Sequence, residues 1–167
     1  MPTADTKLII RNALIDNYNR YALGVDTKDW GMVRACFADR VFLDYAGLGA
    51  SSTDSADGRD ADEWIDTLQS VINGFDITRH AITNHRVTIF DQVVSCSAYL
   101  SADHVIFSAP EVPYVGDQDV VSVVGEYTNF YEQIEGDWKI CKSQLIVNWT
   151  SGNTDLLATA MARVAAR

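Results

Sequence analysis

The stretch Val120–Thr150, VVSVVGEYTNFYEQIEGDWKICKSQLIVNWT, alternates apolar and polar side chains on both sides of one turn signal, Glu135-Gly136-Asp137. A period of two over so long a run predicts two extended strands, about 120–134 and 138–149. The same period holds upstream over about 79–90 and 93–107, with Asp91-Gln92 as the turn between them. SAPEVPYVGDQD (108–119), with two prolines, is the longer loop that joins the halves. Four long strands therefore follow one another in meander fashion.

Before residue 78 the period is helical. Leu8, Leu14, Tyr18, Ala22 and Val25 recur near helical spacing, predicting a helix over about 6–23, with Asp5 or Thr6 as its cap and Gly24 at its end. A shorter helix is expected over about 30–38, capped by Asp29, with Trp30, Val33 and Phe37 on one face. VFLDYAG (41–47) reads as a strand, and GLGASSTDSADG (47–58) as a loop. Asp60 and Glu63 then open a third, amphipathic helix carrying Trp64, Ile65, Leu68, Val71, Ile72 and Phe75. A short helix from Thr154 ends the chain. Helices first and antiparallel strands after them is the α+β pattern, and with no repeat and no linker residues 1–167 read as one domain. A curved sheet wrapped around helices leaves a cavity open at one end, which suits a small organic ligand.

Composition narrows the function. The chain has 167 residues and is 47% apolar, enough for a sizeable core in one domain. It has no run of 18 apolar residues, and its first residues lack the signal-peptide pattern, so a soluble cytoplasmic protein is expected. A net charge of -10 argues against nucleic acid and anionic membrane as partners. Cys36, Cys96 and Cys141 have no metal-type spacing and read as three buried thiols. No Gly-x-Ser-x-Gly, His-Glu-x-x-His or dinucleotide fingerprint is present, and no metal or cofactor is expected.

Few residues remain for chemistry. His80 and His85 have opposite parity in one strand, so without a bulge they face opposite sides of the sheet. His104 shares its parity with Cys96, Ala98 and Leu100, which points it inward. A hydrogen-bonded core or rim histidine is the plainer reading of each. Asp26 follows a helix end, where the dipole disfavours a carboxylate. It is either exposed, or the cap of the next helix in place of Asp29, or the orienting partner of a histidine base across the cavity. Tyr45 alternates with Leu43 and either packs in the core or polarises a ligand carbonyl. Tyr127 and Tyr131 share a face with Val121, Val123 and Gly125, and either line the cavity or fill it. Tyr21, Trp64, Leu145 and Val147 complete the side chains expected against substrate.

YALGVDTKDWGMVRACFADRVFLDYAG (21–47), ITRHAITNH (77–85) and GEYTNFYEQIEGDWKICK (125–142) together resemble the SnoaL-like branch of the NTF2-like superfamily, and within it the scytalone dehydratases. Dehydrochlorinases of chlorinated cyclohexanes share part of the pattern. The resemblance implies a cone-shaped α+β barrel of three N-terminal helices on a curved, mostly antiparallel sheet, commonly assembled as a homotrimer. A dimer is the other assembly expected. It implies an Asp–His dyad on Asp26 and His80, a water-holding tyrosine at Tyr45 and a second active-site histidine at His104. His85 matches no functional residue. Val25 stands where the dehydratases have a second tyrosine, and Gly125 and Tyr127 stand where they have a serine and an asparagine. A cofactor-independent, dehydratase-like lyase acting on a small cyclic ketone or related hydrophobic molecule, though not scytalone itself, is the expectation. A dehydrohalogenase, an isomerase of the ketosteroid-isomerase type, and a non-catalytic binding or assembly subunit are the alternatives.

Overall fold

The computed structural model describes residues 3–45 and 57–167. Most of the predicted loop 47–58 lies outside the described residues. The elements are α1 (Ala4–Thr27), α2 (Trp30–Arg34), β1 (Phe37–Asp44), β2 (Arg59–Asp60), α3 (Ala61–Ile72), β3 (Ile77–Phe90), β4 (Val93–Val105), β5 (Val120–Ile134), β6 (Asp137–Gly152) and α4 (Leu156–Ala165). Six strands form one sheet in the order β2-β1-β6-β5-β4-β3. β1 runs parallel to β6, and every other neighbouring pair is antiparallel. The sheet curves around the helices without closing, so β2 and β3 are its edges. The helices cover its concave face, α1 lying against β3.

α1 starts where the Thr3 side chain accepts a hydrogen bond from Thr6 N, rather than at Asp5 or Thr6 as caps. It also runs past Gly24. A Cβ at Gly24 would lie 2.8 Å from Val33 Cγ2, so this glycine lets α2 pack against α1 and does not end the helix. The end comes at Lys28, whose φ of 58° is left-handed and whose N–H closes onto Gly24 O and Val25 O. Lys28 Nζ then donates to Phe75 O at 2.7 Å. Asp26 consequently sits inside the last turn of α1 and not beyond it.

α2 is capped by Asp29, whose Oδ1 accepts from Met32 N at 3.0 Å. It stops at Arg34, short of the expected residue 38, because Cys36 O and then Phe37 pair with Ile140 of β6. β1 therefore begins four residues earlier than VFLDYAG implied. The two-residue β2 has no periodicity to reveal it. Asp60 ends β2 and caps α3, accepting from Asp62 N and Glu63 N.

β3 contains a bulge. Thr83 pairs with Tyr99 but Arg86 pairs with Ser97, and Asn84 has a φ of 59°. The extra residue reverses the alternation. Thr78, His80 and Ile82 face the helices before it, and His85, Val87 and Ile89 face the helices after it. His85 therefore shares the inner face with His80, contrary to the parity expectation. It packs edge-on against Tyr18, with ring centroids 5.3 Å apart.

The main core lies between α1, α3 and the sheet, around Leu14, Tyr18, Val33, Cys36, Val41 and Ile140. A smaller cluster of Phe75, Val121, Leu156 and Ala160 seats α4. Cys36 and Cys96 are buried thiols and Cys141 is half-buried; all three are free. Among the described residues no helix is long and apolar enough to cross a membrane.

Candidate active site

The site begins with the end of α1. Asp26 Oδ1 accepts from His80 Nδ1 at 2.7 Å and from Thr78 Oγ1 at 2.9 Å, while Oδ2 accepts from His80 N at 2.9 Å. The side chains of His80 and Asp26 are only 6% and 10% exposed. Residues 78 and 80 alternate onto the same strand face, so one carboxylate collects three donors from two neighbouring inward positions. Burial and the helix dipole work against the charge there. The side-chain and backbone hydrogen bonds from His80, the charge of His80 and the Thr78 hydroxyl outweigh burial, and Asp26 lies below the ordinary carboxylate value of 3.8. In the neutral imidazole, with Nδ1 holding its proton toward Asp26, the lone pair lies on Nε2.

Beside this pair lies a cavity of about 210 Å³. His80 and His104 line one part of it, their rings edge to face with centroids 5.3 Å apart. His104 is 7% exposed and packs on Phe75. Burial, then the neighbouring His80, pushes its pKa down from 6.5 to about 4, so it is uncharged at neutral pH. Tyr21, Tyr45, Trp64, Tyr127 and Leu145 also line the cavity, with Leu100, Ala102 and Val123. Leu157 and Met161 of α4 form part of the wall, so the C-terminal helix closes over it. Among the described residues no group of three or more His, Cys, Asp or Glu side chains is placed to hold a metal ion.

Two expected substrate contacts are absent from the lining. Tyr131 is buried deeper along β5, beyond Asn129, where the cavity does not reach. Val147 is partly buried against the main core instead. Tyr45 Oη is hydrogen-bonded to Ser143 Oγ at 2.9 Å, and its ring meets Trp64 edge-on at 5.0 Å. Thr78 and Ser143 were not anticipated. Thr78 was readable, since it lies two residues before His80 in one strand. Ser143 was not, because it reaches Tyr45 only through the parallel register that sets Leu43 beside it.

The departures at Val25 and Gly125 acquire physical reasons. Val25 is 1% exposed, packs in the core cluster and also lines the cavity, so an apolar side chain stands in the wall at this position. A Cβ at Gly125 would lie 2.2 Å from Ile146 O, at a register shift between β5 and β6. No side chain fits at residue 125, so a serine contact there is impossible in this chain.

The model of the SnoaL-like domain matches residues 6–144, most of the chain. This chain belongs to the SnoaL-like domain family. The SnoaL-like protein described here is 25% identical over 146 residues to the scytalone dehydratase-like protein claB of Passalora fulva, a match covering 81% of this chain and 83% of the relative. Among solved structures it is similar to the Kfla4162 protein of Kribbella flavida, with a TM-score of 0.78 at 24% identity, covering 91% of this chain and 99% of the other. It is also similar to the hexachlorocyclohexane dehydrochlorinase LinA-type3 of Novosphingobium barchaimii, with a TM-score of 0.68 at 19% identity, covering 89% and 92%. At these identities the structural likeness establishes the fold alone.

Proposed function

We propose that this SnoaL-like protein is a cofactor-independent lyase that removes a proton from carbon in a small, uncharged cyclic ketone or related hydrophobic molecule. The observation that carries the reading is the Asp26–His80 hydrogen bond at the wall of a largely apolar cavity. His80 Nε2 takes the proton. Asp26 fixes the tautomer and faces the imidazolium that forms. Tyr45 donates to the oxygen on which the electron pair settles, and neutral His104 binds substrate or assists departure of a hydroxyl β to that carbonyl. The likeness to a scytalone dehydratase-like protein supports loss of water as the outcome.

A second reading keeps the base and changes the leaving group. The apolar lining fits a chlorinated ring as well as a hydroxylated one, and loss of halide needs the same His80. The face of the sheet turned away from the helices exposes Tyr99, Ile146 and Trp149, which supports association of copies into a homo-oligomer.

Proton abstraction is tested without knowing the leaving group. 2-Tetralone in D2O exchanges its α-protons visibly by proton NMR. The protein should accelerate this exchange, and His80→Ala and Asp26→Asn should each remove most of the acceleration while circular dichroism stays native. Exchange at the wild-type rate in either folded variant would overturn the mechanism.

A further inference from the structure

The end of α1 and the start of β3 are tied together at two points, and only one of them is the Asp26–His80 pair. Lys28 lies two residues after Asp26, and Phe75 lies three residues before Thr78. Lys28 Nζ donates to Phe75 O at 2.7 Å. This second polar tie joins the same two stretches of chain that Asp26 joins through Thr78 and His80. One tie alone lets a helix end pivot on a strand. Two ties side by side fix both distance and angle.

Lysine is an unusual residue for this position. Lys28 has φ 58° and ψ 31°, the left-handed conformation that glycine adopts freely and a side chain opposes. A helix end that needed only to turn would be served by glycine, so a side chain kept against that cost points to a use for it. The last turn of α1 carries no basic residue, and a cation at its cap suits the helix dipole. An ammonium in open water would meet that need. Lys28 is instead half-buried, and burial works against its charge. The neighbouring carboxylate of Asp76 is engaged elsewhere, accepting from Arg163 Nη2 and from Phe107 N, each at 2.9 Å. The ammonium is directed to the Phe75 carbonyl.

Phe75 carries the restraint to both histidines. The next residue, Asp76, donates its N–H to Val105 O at 2.9 Å, directly ahead of the ladder in which Thr78 pairs with His104 and His80 with Ala102. The Phe75 side chain is buried and meets the His104 ring with centroids 5.1 Å apart. Lys28 itself is not among the residues that line the cavity.

We propose that Lys28 is a positioning residue: by holding Phe75 O it sets the start of β3 against the end of α1, and so aligns His80 on Asp26 with His104 beside them. Its place in the reaction rests on the lyase reading. Its effect on the His80 ring does not.

The test uses three variants of the full chain. Lys28→Met keeps the stem and removes the donor. Lys28→Gly removes the donor and the left-handed cost together. Lys28→Arg keeps a cationic donor. In the first two, nitrogen-15 NMR should show neutral His80 as a mixture of tautomers. Their maximal rate of 2-tetralone exchange should fall by about tenfold, the scale for a base displaced by a fraction of an ångström. The half-saturating tetralone concentration should stay within about twofold, because no cavity wall has changed. Lys28→Arg should recover the wild-type tautomer and most of the rate. A wild-type tautomer in both Lys28→Met and Lys28→Gly overturns the proposal. So does a rate loss matched by the loss of folded protein in circular dichroism, or a failure of Lys28→Arg to recover what Lys28→Met loses. An absence of exchange by the wild type removes the lyase reading alone, because the His80 tautomer in the variants still decides the role of Lys28.

Discussion

Asp26 accepts two hydrogen bonds from one residue, His80: the imidazole Nδ1 at 2.7 Å and the backbone N–H at 2.9 Å. The ring is therefore held through both its side chain and its main chain, and its tautomer follows from the carboxylate. Nitrogen-15 NMR should show the neutral form of His80 carrying its proton on Nδ1 and not on Nε2. Asp26→Asn should mix the tautomers and slow tetralone exchange by at least about a hundredfold, the lower range for general-base catalysis. An unchanged tautomer in that variant would show that something other than Asp26 sets it.

Thr78→Val separates holding the carboxylate from orienting the base. Valine keeps the shape but removes the 2.9 Å bond to Asp26 Oδ1, and Thr78 is 1% exposed. Stability should fall by about 1–3 kcal/mol by urea denaturation. Exchange should fall less than in Asp26→Asn, because both bonds from His80 remain.

His104 makes stability depend on pH with a definite sign. Its folded pKa of about 4 lies below the ordinary 6.5, mainly through burial and then His80, opposed by Val121 O, Asp26 and Asp103. Between these values the unfolded chain binds the extra proton, so stability falls as pH is lowered from 6.5 toward 4. The full effect is on the order of 3 kcal/mol. Asp26, held below 3.8, adds the same sign at lower pH: its contribution is present above 3.8 and is lost as pH drops through the folded value. Urea midpoints measured across this range should rise with pH, and His104→Phe should flatten the upper part of the curve.

Gly125→Ser introduces the serine that the resemblance to scytalone dehydratases implies at this position and should fail here. Its Cβ would meet the backbone oxygen Ile146 O at 2.2 Å. We expect a loss of about 3 kcal/mol or more in a thermal or urea melt, with no gain in ligand affinity. A variant as stable as wild type would mean that β5 and β6 are not as closely set at this point.

How much was legible without a structure depends on whether a feature is local. The period-two runs of β3 to β6, the helical runs of α1 and α3, and Asp29 as a cap are properties of neighbouring residues, and they were readable. The helix end at Gly24 was misread because glycine serves two purposes. Removing a side chain permits both a left-handed turn and a close helix contact, and only Val33, at 2.8 Å from the absent Cβ, distinguishes them. The parity of His85 was misread for a similar reason. Asn84 has no signature in the alternation around it, and one inserted residue turns everything after it to the other face.

The site divides in the same way. The sequence by itself determined which residue types were available: three histidines, an aspartate at an unfavourable helix end, and tyrosines on inward strand positions. Tertiary structure alone decided which of them meet. Asp26 and His80 are 54 residues apart in the chain, and Tyr45 and Ser143 are 98 apart. Such pairs are joined by strand register and sheet curvature, which sum over every residue between them. That same curvature kept Tyr127 at the cavity and left Tyr131, four residues on along the same face, buried beneath it.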